Sequence, residues 1–202
     1  YRTGIDYRDL MEECEALFLF LSRRLDMGTQ LSRRGLNIDL DIPWERLPVQ
    51  TAFERYASVS LEQALNNNRF DQTMVEEIEP HLGVKTPTFL YDYPASLAAL
   101  ARLKPGCPSI AERFEIYVGG IELANGFSEL NDAHEQRKRF EKELKEKALL
   151  GKIVSPMPER FLKALKNMPE AAGIALGLDR LVMIFSGART IDEVVAFTPE
   201  EV

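Results

Sequence analysis

The sequence predicts an α+β domain, an antiparallel sheet with flanking helices, and three observations carry the prediction. Gly119-Gly120 separates two strand-like runs, residues 111–118 and 121–130, in the manner of a two-residue hairpin whose turn needs positive φ. Apolar residues recur at helical spacing over residues 6–25 and 178–185, and residues 131–149 form a long charged segment of helical character. No repeat period runs through the chain, which excludes solenoids and leaves antiparallel strands with helices inserted between them.

Along the chain, Leu10, Cys14, Leu17, Leu21 and Leu25 mark one face of the first helix, with Asp6 placed to cap it. Residues 28–41 then bring turn residues and an alternation of Leu36, Ile38 and Leu40 with Asn37, Asp39 and Asp41, the pattern of an edge hairpin strand. Pro48 opens a short helix through Tyr56, Ser60 begins another, and residues 70–82 form a third that stops at Gly83. Residues 28–84 therefore read as a variable helical insertion. Sheet character resumes at residues 86–94, ahead of the hairpin. After it come the charged helix, with Asn131 or Asp132 as N-cap, and a helix over 158–166. A strand at 173–177 runs straight into the apolar helix, closed by Gly187, and residues 191–197 form a short terminal segment.

With 202 residues and 45% hydrophobic content the chain fills one sizeable domain. No apolar run approaches the roughly 20 residues of a membrane span. The net charge of -7 has the wrong sign for gripping nucleic acid through its phosphates. Cys14 and Cys107 stand far apart without metal-like spacing, so neither a disulfide framework nor a zinc site is expected, and a reducing cytoplasm fits. Tyr1 opens the chain without a signal-peptide pattern, and the chain reads as part of a longer protein.

A two-residue turn pairs Val118 with Ile121, Tyr117 with Glu122 and Glu115 with Ala124, placing Glu115 and Glu122 on one face. Two carboxylates that close repel unless a cation sits between them, and Mg²⁺, which takes its other ligands from water and nucleotide phosphates, is the natural candidate. The alternative is a solvated face on which Arg113 neutralises a carboxylate. Further along, Asn125, Phe127 and Glu129 alternate to one side, as an amine pocket would need: a carboxylate for the ammonium, a ring face and an amide. A strand with one apolar anchor and two exposed polar groups gives the same spacing. Strict alternation puts this trio on the opposite face from Glu122, so one site uses both only if the strand bulges, for which Gly126 is the expected place.

Residues 173–180, Gly-Ile-Ala-Leu-Gly-Leu-Asp-Arg, lack the Lys-Ser/Thr pair of a P-loop. Gly177 would let a flat ligand approach the backbone, and Arg180, in the first helical turn, would lie over a base or reach a phosphate. The competing reading is strand–helix packing with an Asp-Arg surface pair.

Together these segments resemble the class II aminoacyl-tRNA synthetases of the lysyl type. Residues 173–181 resemble the family's motif 3, and residues 112–130, Glu-Arg-Phe-Glu-Ile-Tyr-Val-Gly-Gly-Ile-Glu-Leu-Ala-Asn-Gly-Phe-Ser-Glu-Leu, resemble its amino-acid and metal-binding hairpin. Residues 85–96, 121–127 and 193–197 are most similar to the paralogous ligases that attach beta-lysine to elongation factor P. The likeness implies that residues 1–202 are the C-terminal portion of one catalytic domain, with motif 1 and the motif 2 arginine upstream of Tyr1, so that this stretch alone is expected to be inactive. It implies that Glu115 and Glu122 hold Mg²⁺ and ATP, that Leu123, Gly177 and Arg180 contact ATP with Arg180 catalytic, and that Tyr1, Asn125, Phe127, Glu129 and Ala175 hold a lysine-like amino acid. Ala175 stands where lysyl-tRNA synthetases usually carry Gly.

The implied activity is ATP-dependent activation of (R)-beta-lysine or lysine as an adenylate and its ligation to a lysine of elongation factor P, in a cytoplasmic homodimer. Two other readings stay open: a lysyl-tRNA synthetase fragment charging its tRNA, and a catalytically inactive synthetase-like regulatory module. The retained Glu115, Glu122, Glu129 and Arg180 argue against the last.

Overall fold

The computed structural model describes residues 1–33 and 35–198. Its centre is a seven-stranded sheet, mostly antiparallel, formed by β1 (Arg2–Thr3), β4 (Glu45–Pro48), β5 (Thr88–Pro94), β6 (Leu103–Lys104), β7 (Cys107–Val118), β8 (Ile121–Ser128) and β9 (Ala171–Leu176). The spatial order is β1-β9-β8-β7-β5-β4, with β6 beside β7. A separate antiparallel ribbon pairs β2 (Gln30–Arg33) with β3 (Leu36–Asp39).

The helices are α1 (Tyr7–Arg24), α2 (Val49–Tyr56), α3 (Leu61–Asn66), α4 (Phe70–Thr73), α5 (Ala133–Leu149), α6 (Glu159–Leu165) and α7 (Leu178–Ser186). Their starts follow from local chemistry. Asp6 caps α1 in a reciprocal box with Asp9, Ser60 does the same for α3 with Gln63, and Asp132 caps α5. Gly187 takes the left-handed conformation, φ 72°, that ends α7.

Residues 28–84 are not a purely helical insertion. They hold the β2–β3 ribbon and β4, which joins the main sheet parallel to β5 from Glu45↔Thr88 to Pro48↔Tyr91. Pro48 ends that strand and stands at the N-cap of α2, one position earlier than the sequence places it. The single helix expected over 70–82 is α4 followed by a π-turn at Met74–Ile78 and a 3₁₀ turn at Glu79–His81. Pro80 supplies no N–H for continued α-helical bonding, and the chain tightens there.

The two faces of the sheet are buried unequally. Phe89, Phe114, Ile116 and Val118 pack against Tyr7, Met11, Cys14 and Phe18 of α1 and against Leu31 and Ile38 of the ribbon. On the other face, Leu90, Tyr93 and Tyr117 pack against Val49, Phe53, Met74 and Ile78. The helices of 49–82 thus roof the β5–β7 side and leave the β8–β9 side open. No described helix is long and apolar enough to cross a membrane.

Candidate functional site

The β7–β8 hairpin turns at Gly119 and Gly120, φ 59° and 72°, between Val118 and Ile121 as the pattern requires. Tyr117 pairs with Glu122, but Ile116 pairs with Ala124, so Leu123 is an extra residue and the strand bulges there. The expected Glu115–Ala124 pair is replaced by Glu115–Asn125. The bulge therefore lies at Leu123, not at Gly126. Gly126 sits in regular register between Phe114 and Ile174. Its missing Cβ has a packing cause, since a methyl there would stand 2.7 Å from the Phe114 ring.

The extra residue reverses the alternation. Directly opposed residues of an antiparallel pair share a face. Arg113 with Phe127, Glu115 with Asn125 and Tyr117 with Glu122 accordingly point the same way, and the β9 partners Ala175 and Gly173 join them. Both halves of the expected site thus lie on one surface. The backbone freed by the bulge is taken up by the start of α7. Gly177 N–H donates to the Leu123 carbonyl at 2.8 Å, and Arg180 Nη1 donates to the Glu122 carbonyl at 2.7 Å.

Glu115 is the hub of the face and is only 8% exposed. Its Oε1 accepts from Arg113 Nη2 at 2.6 Å and from Asn125 Nδ2 at 3.4 Å, and its Oε2 from the Tyr117 hydroxyl at 2.8 Å. Arg113 is itself fixed 4.3 Å from the Tyr93 ring centroid and donates to the Leu97 carbonyl. The arginine of the alternative reading is in place: Arg113 pairs with Glu115 and neutralises it. Glu122 remains freer: burial and then the Glu115 charge push its carboxyl up, partly opposed by Arg180. Oε2 of Glu115 accepts a single hydrogen bond and so keeps a lone pair. Glu115 and Glu122 border one cavity, and one or two carboxylates are what Mg²⁺ takes from protein when phosphates supply the rest. No group of three or more His, Cys, Asp or Glu among the described residues forms a self-sufficient metal cage.

Two adjoining cavities meet at Glu122. One of about 350 Å³ is lined by Glu122, Leu123, Asn125, Ala175, Gly177 and Arg180, among others. Leu123 borders it although its side chain belongs to the core. A Cβ on Gly177 would make only ordinary contacts of 3.5 Å or more, so the chain's own packing does not require glycine there. The second cavity, about 450 Å³, runs beneath the roof helices from Glu122 and Glu115 to Glu79 and Tyr93. A larger space of about 850 Å³ along α1 holds none of the predicted residues.

Glu129 lies farther along the same face, beyond the walls of both cavities. A Cβ on Gly173 would stand 2.5 Å from Glu129 Oε1 and 2.7 Å from the Tyr1 ring, so glycine is what lets these two side chains meet. Glu129 is 8% exposed, its Oε1 has no hydrogen-bond partner, and burial pushes its carboxyl up to about 7. A buried carboxylate left without a donor is suited to an arriving ammonium. Phe127, half-buried, packs against the small cluster of Ala98, Ala101 and Ala111.

Sequence reading missed Glu79, Tyr93 and Tyr117. Glu79 comes from the roof, 36 residues before Glu115, and reaches the hub through the Tyr117 hydroxyl at 3.3 Å. Nothing in local spacing signals that approach.

The geometry agrees with what the chain is similar to. A protein of Proteus mirabilis named elongation factor P–(R)-beta-lysine ligase is 40% identical over 202 residues, covering 98% of this chain and 60% of the relative. One of the same name from Vibrio atlanticus is 37% identical over 207 residues, covering 98% and 63%. Another from Photorhabdus laumondii is 52% identical over 122 residues, 60% of this chain and 38% of the relative. The chain spans at most 63% of the length of these relatives. The family model described as tRNA synthetases class II (D, K and N) matches residues 1–201, nearly the whole chain. With the hairpin, the strand-to-helix junction and this match in agreement, the chain belongs to the class II tRNA synthetases of the D, K and N group.

Proposed function

We propose that the protein containing this chain activates (R)-beta-lysine, or lysine, with ATP and ligates it to a lysine of elongation factor P. The reading extends to residues 1–202 being the C-terminal portion of its catalytic domain, in a cytoplasmic homodimer. The observation that carries the site assignment is the Leu123 bulge, because it puts Glu122 and the Asn125-Phe127-Glu129 series on one face beside Ala175. The relatives' names supply the acceptor.

In this reading Glu129 receives the side-chain ammonium next to the Tyr1 ring, with Phe127 and Asn125 along the substrate and Ala175 forming part of the floor. Gly177 lets the adenine or ribose approach the α7 junction, Leu123 borders it, and Arg180 offsets phosphate charge. Glu115 and Glu122 would hold Mg²⁺, which supplies neutralisation of the triphosphate. The substrate carboxylate attacks the α-phosphorus and pyrophosphate leaves. The acceptor amine then attacks the acyl carbon. The C–N bond forms, the C–O bond to phosphate breaks, AMP departs with the electron pair, and two protons pass from the original ammonium to water. No covalent enzyme nucleophile is required, and alignment of the reactants does most of the work.

The test is ATP–pyrophosphate exchange by the full-length protein, followed by mass measurement of elongation factor P. Exchange dependent on (R)-beta-lysine and a matching mass increase on the acceptor are expected. Exchange with no lysine isomer would end the proposal, and aminoacylation of tRNA in place of the factor would redirect it to a lysyl-tRNA synthetase.

A further inference from the structure

The second cavity shares Glu115 and Glu122 with the site assigned above to Mg²⁺ and ATP, and its remaining walls have the chemistry of a separate amine site. Its walls join an apolar stretch, Phe70, Met74, Val75 and Leu97, to a polar end where Glu79 and Glu122 stand beside the Arg113–Glu115 ion pair, so that the two remaining carboxylates leave the end acidic. Glu79 arrives on the 3₁₀ turn directly after the π-turn, half-buried, its Oε1 3.3 Å from the Tyr117 hydroxyl, whose one proton has the nearer acceptor in Glu115 Oε2 at 2.8 Å. Such π-turns often mark functional positions. A second polar group faces the same space: Tyr93 is 2% exposed and lines the cavity, and its hydroxyl, interacting with the Glu115 carboxylate, makes no hydrogen bond of ordinary geometry. Buried hydroxyls are ordinarily satisfied.

A cation with an apolar stem satisfies all of these features. Its methylenes would lie along Phe70, Met74, Val75 and Leu97, and its head would donate to Glu79 and to the Tyr93 oxygen. A bare divalent ion has no use for the apolar wall, and the described carboxylates form no cage of three. The cavity also meets the nucleotide-side cavity at Glu122, where an acyl-adenylate would be formed. We infer that the cavity between the 70–81 turn and the β7–β8 sheet is the subsite for the acceptor's lysine side chain, with Glu79 as its ammonium anchor. This rests on the ligase reading above and assigns its second substrate a place distinct from the first amine at Glu129.

The experiment separates the two half-reactions in the full-length protein: ATP–pyrophosphate exchange with (R)-beta-lysine, and single-turnover transfer from preformed adenylate to elongation factor P. For Glu79→Gln, exchange should stay within about twofold of wild type while the acceptor concentration at half-maximal transfer rises about tenfold or more. Val75, 60% exposed on the cavity wall, offers a variant that spares the fold. Val75→Arg should impair transfer likewise and leave exchange intact. N-acetyl-lysine methylamide, a small lysine mimic, should compete with the factor in wild type and lose about tenfold in potency in Glu79→Gln. Equal losses in exchange and transfer would place Glu79 in the nucleotide site and overturn the inference. Unchanged transfer in both variants would overturn it as well. Absence of exchange in wild type would instead defeat the ligase reading itself.

Discussion

Arg180 Nη1 donates to the backbone carbonyl of Glu122 at 2.7 Å, so the first turn of α7 holds the bulged strand by a group that is also within 3.9 Å of the Glu122 carboxylate. The side chain is 48% exposed, and the neighbouring Gly177–Leu123 backbone bond holds the same junction independently. Arg180→Ala should therefore change stability by no more than about 0.5 kcal/mol. ATP affinity should fall about tenfold or more, as expected for loss of a charge-assisted contact to phosphate. Thermal denaturation and calorimetric titration with ATP on the full-length protein check both halves. A large drop in Tm with unchanged ATP binding would make Arg180 a structural clamp only.

Two glycines on the site face make opposite predictions. Gly177→Ala meets nothing closer than 3.5 Å and keeps an ordinary φ of -72°, so the protein should fold normally and lose affinity for ATP alone. Gly173→Ala places a methyl 2.5 Å from Glu129 Oε1 and 2.7 Å from the Tyr1 ring, both side-chain atoms able to move aside. It should raise KM for the amino acid about tenfold or more while leaving that for ATP near wild type. Exchange kinetics with each substrate varied in turn resolve the pair. Equal effects on both substrates from either variant would remove the division of the face into nucleotide and amine ends.

Most of the architecture was legible in the sequence because it is written in local chemistry. Gly119-Gly120, the Asp6, Ser60 and Asp132 caps and the Gly187 stop are each decided within a few residues. Alternation also demanded a bulge in β8, but the position was not legible. Gly126 attracts the assignment by its composition, whereas the bulge at Leu123 is fixed by what lies opposite, the α7 start that receives the freed carbonyl. β4 escaped notice because Glu45-Arg-Leu-Pro48 is short and carries no strong strand pattern, and its pairing with β5 is long-range. Glu79 was invisible for a related reason: a roof residue joins the sheet only through tertiary packing.

Ala175 pairs with Asn125, is exposed and lines the cavity of about 350 Å³, so in the proposed reading its methyl would occupy space beside the substrate backbone. Removing it should relax discrimination between amine isomers. Ala175→Gly in the full-length protein is expected to shift the ratio of kcat/KM for (R)-beta-lysine over α-lysine about tenfold toward α-lysine, the scale of one methyl in a fitted pocket. An unchanged ratio would exclude this residue as the selector.

Glu129 ties the proposed amine site to stability through pH. Its carboxyl, normally near 4.5, is raised to about 7 by burial without a donor. A carboxyl raised on folding is neutral in the folded protein below about 4.5, begins to cost stability above that pH as the unfolded form ionises first, and reaches its full penalty above about 7. Glu129→Gln, which cannot ionise, should lack this fall. The difference in unfolding free energy between the variant and the full-length wild type should therefore grow from pH 4.5 to 7 and level off beyond. A saturating lysine-like amine should reverse the order at pH 8, stabilising wild type and leaving Glu129→Gln unaffected, because an ammonium beside the ionised carboxylate replaces the missing donor. Denaturant titrations across that range, with and without the amine, measure both effects. A difference that stays flat with pH would mean that Glu129 is solvated in the folded protein and that its buried, donor-poor setting does not control its charge.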